Sequence, residues 1–80
     1  MLTGVVMAYH AAMTELVFVV EEAPEGGYTA RALGEAIFTE TDDLDQLESR
    51  VRAAVDVHFD ETERPKLIRL HQVRDTLIAI

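Results

Sequence analysis

The stretch Pro24-Glu25-Gly26-Gly27-Tyr28-Thr29-Ala30 stands between two β-type runs. Leu16-Val17-Phe18-Val19-Val20 precedes it, and Tyr28-Thr29-Ala30-Arg31-Ala32-Leu33 overlaps and follows it. Branched and aromatic side chains suit a pleated strand, and proline with paired glycines suits a chain reversal. Together they predict a β-hairpin. The span Glu21 to Gly27 is too long for a two-residue turn. Gly26 and Gly27 are therefore expected to supply the positive φ angles of a wider loop.

Working outward, the first strand is expected over Glu15 to Val20. Leu16, Phe18 and Val20 share one face, and Val17 and Val19 the other. A strand apolar on both faces is normally central or covered in an oligomer. The second strand spans Tyr28 to Leu33, with Tyr28, Ala30 and Ala32 on one side. Gly34-Glu35 predicts a tight turn into a third strand over Ala36 to Glu40. Three strands so closely spaced predict an antiparallel meander.

Beyond it, Leu44, Leu47, Val51, Ala54, Val55 and His58 recur along one stripe of a 3.6-residue helix. Thr41, Asp42 and Asp43 offer N-cap oxygens, and Asp43 with Gln46 has capping-box spacing. Acids come first in this helix and Arg50 and Arg52 later, the order that the helix dipole favours. Glu48 and Arg52 are spaced to pair at i,i+4. Asp60 to Pro65 ends the helix. Lys66 to Val73 reads as a further strand with Ile68 and Leu70 on one face, and Thr76 to Ile80 as another β-type run. Arg74-Asp75 is a poor tight-turn pair, so one long bent strand fits as well as two. The fold class expected is α+β: a small antiparallel sheet in the order β-β-β-α-β, with one main helix on one face. The uncovered face, carrying Val17 and Val19, calls for a homodimer or a higher homo-oligomer.

Eighty residues make one small domain with a thin stability margin. Residues 14–80 form the expected domain. Residues 1–13 form an N-terminal extension ahead of it, with no cationic start or sustained apolar core of a signal peptide. No apolar run approaches the roughly 20 residues of a membrane span. Cysteine is absent, which excludes disulfides and thiolate metal sites and fits a cytoplasmic protein. The formal net charge is −8. Such a balance opposes direct nucleic-acid binding, which depends on neutralising phosphates, and steers a basic protein partner inward. The acids concentrate: residues 21–48 hold nine of them and one base, Arg31. A solvated acidic surface explains this run as well as a partner site does.

Catalytic chemistry finds little support. His10, His58 and His71 have no His-x-x-x-His spacing or cysteine partners. His58 suits a helix C-terminus, where imidazolium meets the dipole. His71 is placed on a strand surface. Glu40, Asp42, Asp43 and Asp45 lack the glycine and final glutamate of a calcium loop. Ser49 has no nucleophile-elbow glycines, and Gly26-Gly27 is too short and acidic to cradle phosphate. No enzyme activity, metal or cofactor is expected. Tyr28 and Phe38 are candidate interface anchors, or else a strand residue beside its turn and a core residue. Phe59 is expected to pack under the sheet edge.

Glu25-Gly26-Gly27-Tyr28-x-Ala30 after a Val/Phe strand resembles the HicB antitoxin family, across about Glu15 to Leu70. In the descent to the helix, Thr39-Glu40-Thr41-Asp42-Asp43-Leu44-Asp45-Gln46-Leu47 matches that family in character. Gly34-Glu35-Ala36-Ile37 stands where the family carries Pro-Gly-Cys. The resemblance implies a partial ribonuclease-H-like domain without catalytic carboxylates. It also implies a non-enzymatic role, binding a small basic ribonuclease toxin of the HicA type. No DNA-binding module is expected after Ile80. The candidate partner-binding residues are Glu25, Tyr28, Arg31, Glu40, Asp42 and Asp43. The alternative is a small oligomeric ligand-binding or structural accessory module without a toxin partner.

Overall fold

The computed structural model describes residues 14–80. The expected N-terminal extension, His10 included, lies outside the described residues. Strands β1 (Glu15–Glu22), β2 (Tyr28–Ala32) and β3 (Phe38–Thr41) come first. A 3-10 turn (Leu44–Gln46), helix α1 (Leu47–His58) and strand β4 (Leu67–Gln72) follow.

The hairpin between β1 and β2 closes as its glycines require. Pro24 enters the turn, and the Gly26 amide donates to the Ala23 carbonyl at 3.0 Å. The Ala23 amide then donates to the Gly27 carbonyl at 2.9 Å. Gly26 and Gly27 hold φ of +104° and +81°, the left-handed region that an L side chain enters at a cost. The register sets Phe18 opposite Ala32, Val20 opposite Ala30 and Glu22 opposite Tyr28.

The sheet is mixed, which corrects the antiparallel sheet expected from sequence. Its order is β3-β2-β1-β4. β1, β2 and β3 pair antiparallel, while β4 lies parallel to β1, with Phe18 beside Leu70 and Val20 beside Gln72. The cause is the helix. A helix of 12 residues is about 18 Å long, the span of a five- or six-residue strand. It returns the chain to the end where β3 began, so β4 must run with β3 and β1.

Leu16, Phe18 and Val20 of β1, Ala30 and Ala32 of β2 and Ile37 form the sheet side of the core. Leu47, Val51 and Val55, one helical turn apart, press onto it. Phe59 packs against this cluster, its ring edge-on to His58 with centroids 4.8 Å apart. α1 runs nearest β3 and β2, where alanines on β2 leave room for it.

Other expectations need correcting. Phe38 is 58% exposed and not core. Ile37 takes the inward place, and Phe38 pairs with Arg31. Leu44 is exposed in the 3-10 turn, so the buried stripe begins at Leu47. Thr76 to Ile80 forms no strand. Glu48 and Arg52 are not among the ion pairs of the described residues.

Candidate functional site

The acidic residues converge where the hairpin loop meets the start of the helix. Glu25 comes from the loop, Tyr28 from the first position of β2, Glu40 from β3, and Asp42 from the link to the 3-10 turn. These four line one shallow cavity of about 250 Å³. Register explains the meeting: Tyr28 lies opposite Thr41, and Thr29 opposite Glu40. Gly27 allows the loop to close over the end of β3. A Cβ built on Gly27 would stand 2.7 Å from the Thr41 carbonyl oxygen.

Thr41 organises the corner from within. It is a buried polar residue whose hydroxyl donates to the Asp43 carbonyl at 2.6 Å and accepts from the Asp43 amide at 3.1 Å. Asp43 Oδ1 accepts from the Gln46 amide at 3.1 Å and so caps the 3-10 turn. Half of the expected capping box forms. The Thr41 hydroxyl takes the role at the Asp43 amide that Gln46 would have filled. Asp43 is therefore occupied in the fold, while Glu25, Glu40 and Asp42 face outward to solvent.

Arg31 stands apart from this group. It shares a register position with Val19 and Phe38, on the sheet face opposite the core residues Ala30 and Ala32. A residue the sequence reading missed takes part instead. Arg50 lines the same cavity, and its Nη1 donates to the Glu40 carbonyl oxygen at 3.3 Å. Its signal was present: Arg50 lies one helical turn after Gln46, so a helix starting at the acidic cap carries it back to the acids. Three carboxylates and one guanidinium leave the corner acidic.

His58 and His71 do not join it. His58, the last residue of α1, places Nε2 3.1 Å from Glu35 Oε1 in the β2–β3 connection. His71 is exposed on β4, beside Val19. At the start of the sheet, Arg69 pairs with Glu15 through both guanidinium and carboxylate, with Nη2 to Oε1 at 3.3 Å. The hydrogen bond from Arg69, with its charge acting the same way, holds the Glu15 carboxyl below the ordinary glutamate range. Desolvation works against both. Among the described residues, no three His, Cys, Asp or Glu side chains converge to hold a metal ion. No helix there is long and apolar enough to cross a membrane.

A second and larger cavity, of about 510 Å³, opens between α1 and β4. Val51, Val55, Ile68 and Leu70 supply its apolar walls, and charged side chains its rim.

These features define a small α+β domain with an acidic corner and an apolar groove. The chain belongs to the UPF0150 family. It is 54% identical over 52 residues to a UPF0150 protein of Archaeoglobus fulgidus, covering 65% of this chain and 77% of that protein. It is 36% identical over 66 residues to a UPF0150 protein of Thermotoga maritima, covering 82% of this chain and 93% of that one. No protein-family model and no solved structure matches the chain.

Proposed function

We propose that this chain is a non-enzymatic, HicB-like binding module that holds a small basic protein, of the HicA toxin type, against its acidic corner. The observation that carries the reading is the gathering of Glu25, Glu40 and Asp42 around one shallow cavity beside Tyr28. A net charge of −8 adds long-range attraction for a cationic partner. Tyr28 supplies a half-buried aromatic anchor within the charged rim, the arrangement in which a few residues carry binding. Nucleic acid would meet the toxin and not this chain, and the expected place of action is the cytoplasm.

Co-expression tests this. A small basic HicA-type protein from the source genome should co-purify with the full chain and lose its toxicity. Glu40→Lys with Asp42→Lys should abolish both effects while leaving the circular dichroism unchanged. Undiminished capture by the double variant, or no rescue by the wild-type chain, overturns the reading.

The apolar groove between α1 and β4 favours a second reading, a small-molecule or structural accessory module. Native mass spectrometry of protein from its source, carrying a bound small molecule and no basic protein, would support it over the first.

A further inference from the structure

We infer that the groove between α1 and β4 receives residues 76–80 of a second copy of this chain, so that two copies exchange these segments. The inference concerns a surface separate from the acidic corner and does not rest on its function.

The groove exists because one helix cannot cover four strands. α1 lies nearest β3 and β2, at one side of the sheet, while β4 is the opposite edge. Leu70 is in register with Phe18, which is fully buried, yet it is 37% exposed itself. Ile68 and Leu70 thus present apolar surface beside Val51 and Val55 with nothing of this chain above them among the described residues. Among the described residues no strand pairs with the outer edge of β4, which leaves its backbone groups as a template for another strand.

A segment of matching chemistry leaves the same molecule. Leu77, Ile78 and Ile80 are the most exposed large apolar side chains of the described residues apart from Val57, and residues 76–80 include no charged side chain. The groove rim is near balance, with Arg52, Arg64 and Lys66 against Glu48 and Asp56. Arg64 and Asp56 already pair there at 3.3 Å. A neutral apolar strand suits such a site better than a strongly charged one.

The chain's own groove is the wrong destination for its own segment. The Val73 amide donates to the Val20 carbonyl at 2.8 Å, so pairing along β1 continues to the far end of β4 from Leu67. Return would demand a reversal at Arg74-Asp75, which carries neither glycine nor proline. Continuing extended, Arg74 to Ile80 reaches about 23 Å beyond the sheet, far enough to lie along a neighbour. Because each copy carries both segment and groove, exchange is reciprocal and closes as a two-fold dimer. The carboxylates Glu40 and Asp42 stand on the β3 side, so the like-charged corners stay apart.

The chain has no cysteine, so introduced thiols report only the chosen contact. Mixing L70C protein with I78C protein under mild oxidation should give a disulfide-linked dimer holding one chain of each. Sedimentation should find the full chain dimeric at micromolar concentration. Leu77→Asp with Ile78→Asp should raise the dimer dissociation constant at least tenfold with the circular dichroism preserved. A monomeric full chain overturns the inference. So does a dimer undiminished by the aspartate variant, or a L70C/I78C double variant that links only within one chain.

Discussion

Single residues show where local chemistry decides the fold. Gly26 and Gly27 both take positive φ, but their surroundings differ. A Cβ at Gly26 meets open space, whereas one at Gly27 collides with the backbone oxygen of Thr41, which has nowhere flexible to retreat. Gly26→Ala should therefore cost about 1–2 kcal/mol, the left-handed penalty alone. Gly27→Ala should cost more and should disturb the Tyr28–Thr41 pairing, visible in urea unfolding and in the amide spectra of β3. Glu15 gives a pH signature. Its carboxyl is depressed in the native state by Arg69, so the native chain favours the ionised form. The stabilisation is complete above the unfolded glutamate value of about 4.3 and is lost as pH falls through the lower native value. Acid titration should thus destabilise the wild-type chain more than Glu15→Gln in that window, and high salt should shrink the difference, as expected for an exposed pair. The paired glycines were legible in the sequence because few residues tolerate positive φ. The place of Phe38 was not. A strand read from Ala36 fits the pleat in either phase, and a shift of one residue moves every side chain to the other face. Only the partner strand, setting Phe38 against Arg31, decides between them.

Among the elements, the helix was the most readable and its consequence for the sheet the least. Leu47, Val51 and Val55 repeat at four-residue spacing, a pattern that survives any tertiary arrangement. Val51 is fully buried, and Val51→Ala should cost about 2 kcal/mol through lost contact and an unfilled cavity. Asp43→Ala should cost about 1 kcal/mol, because its carboxylate holds the first turn of the 3-10 segment. Equilibrium urea unfolding with an unchanged denaturant slope checks both. What periodicity did not convey was the direction of β4. A strand's own residues carry no mark of parallel or antiparallel pairing. The direction came from the length of α1 and from β1 having a free edge once β2 had taken the other. The acidic corner was similarly half legible. Glu25, Tyr28, Glu40 and Asp42 were identifiable by charge and by nearness to the turn. Arg50 joined them only because the helix axis brings it over β3, and Arg31 stands outside because it lies two positions along β2 beyond Thr29, the residue opposite Glu40.

At the scale of the molecule, one charge imbalance acts oppositely on self-association and on capture of a basic partner. Two copies each carry −8, so their approach through the groove is opposed by mutual repulsion and driven by apolar burial. A basic partner at the acidic corner is drawn in by the same field. Raising the ionic strength to 0.15 M or more confines both fields to about 8 Å or less. Dimerisation of the chain should therefore tighten with added salt while capture of the basic partner weakens. Thermal melts separate the first effect from ordinary screening within one chain. Dimer linkage makes the midpoint depend on concentration: a tenfold increase adds about 1.4 kcal/mol per dimer, or about 0.7 per chain. For a domain of this size that is a rise of roughly 3–5 °C. Without residues 76–80 the midpoint should be lower and should not move with concentration at any salt. A full-length chain whose midpoint ignores both concentration and the removal of that segment would be stabilised by its own core alone, and the groove beside β4 would then belong to some other occupant.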